Sequence, residues 1–140
     1  MKMPTRMWVY DPKLARKNNR GKMEELLKRE IETKAKALVE IDLKPTHIKP
    51  PPKDCQWNWL TDIYTKWYRH YFYFCARYDC YGENVLMPFF ETKFARLEFI
   101  GDKKFALAFM RHTDEWVEIY DALTLDECFE AIKTDNWFQP

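Results

Sequence analysis

The sequence predicts an α+β fold. Three observations carry the prediction: a long amphipathic helical pattern near the N-terminus, three alternating apolar–polar segments with tight turns over 93–120, and a capping box at 124–127 that opens a closing helix. The full reading is an N-terminal amphipathic helix, a Pro-rich linker, an aromatic helix, a three- or four-stranded antiparallel β-meander and a C-terminal helix packed on the sheet.

Residues 1–22 read as a basic arm, in which seven cations face one acid, Asp11. Asn18-Asn19-Arg20-Gly21 then supplies a turn. Over 23–43 an amphipathic helix is expected. Met23, Leu27, Ile31, Ala35 and Leu38 recur at spacings of three and four, and Glu24–Lys28, Glu25–Arg29, Glu30–Lys34 and Glu32–Lys36 are i,i+4 pairs with the acid first. Its apolar stripe requires a partner surface. Residues 44–53 hold four Pro in ten positions, which forbid helix and favour an extended polyproline II spacer.

Residues 54–140 read as one compact α+β body. Its first part, 57–81, has eleven aromatics in 25 positions. Trp57, Leu60, Tyr64, Trp67, Tyr68 and Tyr71 fit a helix, with Trp67 on the core stripe and Arg69 facing outward. The aromatic run from Tyr71 to Tyr78 favours a buried strand, although a helix continued through it also fits the spacing. Three strands follow. Lys93–Ile100 places Ala95, Leu97 and Phe99 on one face, Lys104–Met110 places Phe105, Leu107 and Phe109 together, and Glu115–Tyr120 completes the meander. Thr124 and Glu127 form the capping box of a helix over 125–133, with Leu125, Cys128, Phe129 and Ile132 inward.

Composition limits the function classes. A chain of 140 residues makes one domain, and 46% hydrophobic with 17% aromatic residues excludes a disordered chain. No apolar run approaches the ~18–20 residues of a membrane span, and no signal-peptide pattern is visible, so a cytoplasmic location is expected. Four Cys do not make a secreted framework and are expected reduced, mostly buried and metal-free. Cys75 and Cys80 have no second close pair, so no metal site or other cofactor is expected. His112 beside Asp114 has the residue types of a general base, but a turn histidine is usually solvated. No nucleotide-loop or nucleophile-elbow motif occurs.

The net charge of +1 conceals an asymmetry. Residues 1–53 carry 14 Lys+Arg and 7 Asp+Glu, whereas 54–140 carry 9 and 15. The binding candidates are the cations of the arm, Arg6, Lys13, Arg16, Lys17, Arg20 and Lys22, together with Lys66 and Arg69 among the aromatics. Surplus aromatics and the arm-plus-helix layout point to a non-enzymatic binding module acting within a complex, with a protein as the expected partner. A nucleic-acid-binding accessory that uses the basic arm is the alternative. A small enzyme of unknown reaction is the third reading.

Several stretches also carry a resemblance. Glu91-Thr92-Lys93-Phe94-Ala95-Arg96-Leu97-Glu98-Phe99, Phe109-Met110-Arg111-His112-Thr113, Trp116 and Leu123-Thr124-Leu125-Asp126-Glu127-Cys128, with Tyr64–Arg69 and Tyr71–Cys75 before them, resemble an uncharacterised family of small bacterial proteins with a domain of unknown function. The resemblance spans roughly residues 57–140. It implies a bacterial, cytoplasmic protein and carries no activity, cofactor or site residue.

Overall fold

The computed structural model describes residues 24–83 and 85–140. Helix α1 spans Glu25–Leu38, continues through a π-helical turn at Val39–Leu43, and ends in the short helix α2, Lys44–His47. Five strands follow: β1 (Asn58–Tyr68), β2 (Tyr71–Cys80), β3 (Phe89–Gly101), β4 (Lys104–Met110) and β5 (Trp116–Thr124). Helix α3 (Leu125–Thr134) and a 3-10 turn at Asn136–Phe138 close the chain. The strands pair in sequence order as one antiparallel sheet, β1-β2-β3-β4-β5. The architecture is α+β.

One face of the sheet is the core. Phe72, Phe74, Leu97, Phe105 and Leu107 pack there in one cluster with Ile31, Ala35 and Leu38 of α1 and Cys128, Phe129 and Ile132 of α3. The stripe on α1 thus finds its partner surface on the sheet and α3. At α1's exposed face, Glu30 and Lys34 pair at 3.2 Å, while Lys28 approaches Glu25 at 3.9 Å. The capping box of α3 forms as its spacing predicts. Thr124 Oγ1 accepts from the Glu127 amide at 3.2 Å, and Glu127 Oε1 accepts from the Thr124 amide at 2.8 Å. After α3 the chain folds back, burying Phe138 and leaving Trp137 exposed against Phe109.

Three expectations are corrected. The sheet has five strands, not three or four. The fifth arises from the segment read as an aromatic helix, because Asn58–Tyr68 is strand β1, joined to β2 by a two-residue turn. A register shift between Leu60 and Asp62 leaves Thr61 without a partner in the ladder. This bulge changes the parity of the strand, so Leu60, Ile63 and Trp67 all reach the core side at spacings of three and four. That spacing imitates a helix. Trp67 is half-buried on Phe72, with ring centroids 4.8 Å apart, and Arg69 is exposed as expected, though at a hairpin turn with φ 58°.

The third correction falls in the Pro-rich segment, whose first four residues are helical. Pro45 follows directly on the π turn, in the last part of a helical run continuous from α1. Lys44 Nζ reaches both Glu40, at 2.7 Å, and Asp62 of β1, at 3.2 Å. Trp59 Nε1 donates to the Lys49 carbonyl at 2.7 Å, which fastens the segment to β1. The basic arm expected over 1–22, with Arg6, Lys13, Arg16, Lys17, Arg20 and Lys22, lies outside the described residues. Among the described residues no helix is long and apolar enough to cross a membrane.

Candidate functional site

Residues directly opposite each other in an antiparallel pair share a face. The ladder therefore sets out the side of the sheet away from the helices. Lys66, Tyr73, Arg96, Ala108 and Glu118 form one row across all five strands. Tyr68, Tyr71, Glu98 and Ala106 form the next row in one direction, and Tyr64, Cys75 and Lys93 in the other. Met110 pairs with Trp116 beside the latter.

Cations and rings interleave on this face. The Arg96 guanidinium lies 4.4 Å from the Tyr71 ring centre and 4.8 Å from that of Trp116. Lys93 Nζ stands 5.7 Å over Tyr73, whose ring centre is 5.5 Å from that of Trp116. Tyr73 is buried at the centre of this group. Ala106 and Ala108, beside Arg96 in the ladder, are buried.

Glu91 organises the ammonium groups. Its Oε1 accepts from Lys66 Nζ at 2.7 Å and lies 3.5 Å from Lys93 Nζ, while its Oε2 accepts from the Tyr64 hydroxyl. Burial opposes ionisation of Glu91, but the hydrogen bonds from Lys66 and Tyr64, followed by the charges of Lys66 and Lys93, outweigh it and lower its pKa. Burial, and then the bond to Glu91, raise the pKa of Tyr64. Cys75 is fully buried beneath this group, and burial pushes its thiol up to about 11. It is a packed, protonated thiol rather than a nucleophile.

Lys66, Trp67, Tyr68, Tyr73, Lys93, Met110 and Trp116 line a depression of about 460 Å³. A neighbouring depression of about 520 Å³ shares Lys93 and Met110 and extends toward Arg111, His112 and Asp114, with Trp137 and Pro140 on its far side. His112 is exposed at its rim.

A second feature lies at the β2–β3 connection. Tyr81, Val85, Leu86, Met87 and Phe89 all expose apolar side chains, and Leu86 is 100% exposed. The base of this tip is held tightly, since a Cβ at Gly82 would fall 2.8 Å from the Gln56 carbonyl oxygen.

Of the residues singled out from sequence, Lys66 lies in the depression. Arg69 sits at the β1–β2 turn, with its guanidinium 5.3 Å from the Tyr68 ring, and does not line it. Sequence reasoning missed Lys93, Arg96 and Trp116 as members of the face that holds Lys66 and Tyr73. Arg96 was accessible by strand alternation. Lys93 was not, because a bulge leaves Phe94 without a ladder partner and turns Lys93 and Glu91 to the side that Arg96 faces. All four thiols are free, with Cys75 and Cys128 buried and Cys55 and Cys80 half-buried. Among the described residues no three His, Cys, Asp or Glu side chains come together as a metal-ligand set.

The chain matches, over residues 23–140, the family described as Domain of unknown function (DUF3024). It belongs to that family. The match takes in α1 as well as the sheet and α3, and it transfers no function. No curated protein matches the chain significantly, and neither does any solved structure.

Proposed function

We propose that this DUF3024 protein is a non-enzymatic binding module acting within a complex, and that its partner is a protein. The observation that carries the reading is the apolar tip of the β2–β3 hairpin. Five large apolar side chains fall within nine residues there, and Leu86 has no intramolecular cover. Contiguous exposed apolar surface is uncommon on chains that work alone and marks sites of association. The tip rises from a close approach of Gly82 to the Gln56 carbonyl.

Native purification of the tagged chain tests this, compared with a Leu86→Asp, Met87→Asp variant. One stoichiometric protein should accompany the parent chain and be lost from the variant at unchanged thermal stability. Equal recovery of that protein with both chains would remove the tip from the reading.

A nucleic-acid-binding accessory is the second reading, favoured by the interleaving of Lys66, Lys93 and Arg96 with Tyr68, Tyr71 and Trp116 on one sheet face. It requires affinity for single-stranded RNA or DNA that falls steeply with added salt. Affinity independent of salt would count against it.

A further inference from the structure

We propose that the depression on the sheet face away from helices α1 and α3 is a small-molecule site for an aromatic ring bearing a carboxylate or a phosphate. The inference rests on residues separate from the apolar tip and does not depend on the reading drawn from it.

The size is suitable: about 460 Å³ falls within the roughly 300–1,000 Å³ of ligand pockets. So is the chemistry of the walls. Trp116, Tyr68 and Tyr73 supply ring surfaces, and Met110 adds a polarisable, adaptable contact. Two ammonium groups, on Lys66 and Lys93, line the depression, and among the described residues no carboxylate does. The Arg96 guanidinium, held between Tyr71 and Trp116, adds a third positive charge behind the Trp116 ring. Glu98 and Glu118 share the sheet face but do not line the depression. A ring would use the aromatic walls, and an anion would share the two ammonium groups with Glu91.

Glu91 gives the proposal its distinctive consequence. Its Oε1 receives Lys66 Nζ and lies near Lys93 Nζ. It is thus an internal carboxylate competing with the ligand's anion for the same two cations. Removing its charge should free both ammonium groups and tighten anion binding, whereas removing Lys93 should loosen it. A merely structural role for the cluster would not give opposite signs.

The test is calorimetric titration of the full chain with 4-hydroxybenzoate and with adenosine monophosphate. Phenol serves as the ring without charge and inorganic phosphate as the charge without ring, and the Trp116 indole resonance reports the location of binding. At least one ringed anion should saturate below about 1 mM and shift the Trp116 signal, with both controls at least about tenfold weaker. Binding of 4-hydroxybenzoate alone would identify the carboxylate class, and binding of the nucleotide alone the phosphate class. Lys93→Met should weaken binding about tenfold, the loss of one charge-assisted contact, and Glu91→Gln should tighten it severalfold. Lys66→Met provides a second cation deletion should either variant fail to fold. The proposal is overturned if neither ringed anion saturates, if phosphate binds as well as the ringed anions, or if Glu91→Gln weakens binding.

Discussion

Single residues on the sheet face away from the helices show how burial and charge set protonation. Glu91 has a folded pKa below its ordinary value of 4.5, since the bonds from Lys66 and Tyr64 overcome its burial. A carboxyl of that kind adds stability that is present above pH 4.5 and is lost as pH falls through the lower folded value. Tyr64 runs the other way. Burial and its bond to Glu91 raise it above 10.0, so its contribution is complete below pH 10.0 and fades as pH rises through the folded value. The Glu91→Gln variant should therefore lose less stability than the parent chain between neutral pH and pH 3 in paired denaturant curves. Parallel acid limbs would show that the cluster is not coupled to folding. The thiols provide a second residue-scale outcome. Burial pushes Cys75 up to about 11 and Cys128 up to about 12, whereas Cys55 and Cys80 are half-buried. A thiol reagent at pH 8 should react with two cysteines per native chain and with four after unfolding. Four fast-reacting thiols in the native protein would contradict this packing.

At the scale of elements, what was legible in the sequence was what is local. The α3 start could be read because Thr124 and Glu127 satisfy each other's backbone amides across three residues, with no help from the rest of the chain. The β3–β4 and β4–β5 hairpins could be read because their turns are short and their apolar residues alternate. Strand β1 could not, because the bulge at Thr61 places Leu60, Ile63 and Trp67 on one side at helical spacing while Tyr64 and Tyr68 face the other. Only the pairing with β2, a property of two segments together, decides between the readings. The candidate site was hidden for the same reason. Its members come from all five strands, and the bulge at Phe94 is what brings Lys93 and Glu91 to the face that Arg96 occupies. The local character of the cap can be measured. Thr124→Ala should cost about 1 kcal/mol, the usual value for losing an N-cap side chain, with the sheet unchanged by amide exchange. A loss above about 3 kcal/mol would mean that Thr124 holds more than the helix start.

For the molecule as a whole, the decisive property is that α1 and the sheet share one core. The sequence divides at the Pro-rich segment into a helix followed by a body of residues 54–140, yet Ile31, Ala35, Leu38, Val39 and Leu43 are buried in the same cluster as Ile63, Phe74 and Leu107. Lys44 joins the end of the helical segment to Asp62, and Trp59 joins β1 to Lys49, so polar contacts cross the same boundary. The family match beginning at residue 23 includes α1. A fragment starting at residue 54 would expose the part of the core face that α1 covers and would lose its burial energy, a deficit large against the roughly 5–15 kcal/mol that stabilise a domain. Such a fragment should be aggregated or largely unfolded. In the full chain, helical circular dichroism and tryptophan fluorescence should follow one denaturation curve with a common midpoint, as two-state unfolding of a single core requires. Ile31→Ala, which empties a fully buried position on α1, should move both curves together by about 2–5 kcal/mol. If the helical signal instead melts first and leaves the fluorescence transition in place, α1 is an appendage and the core is that of the sheet and α3 alone.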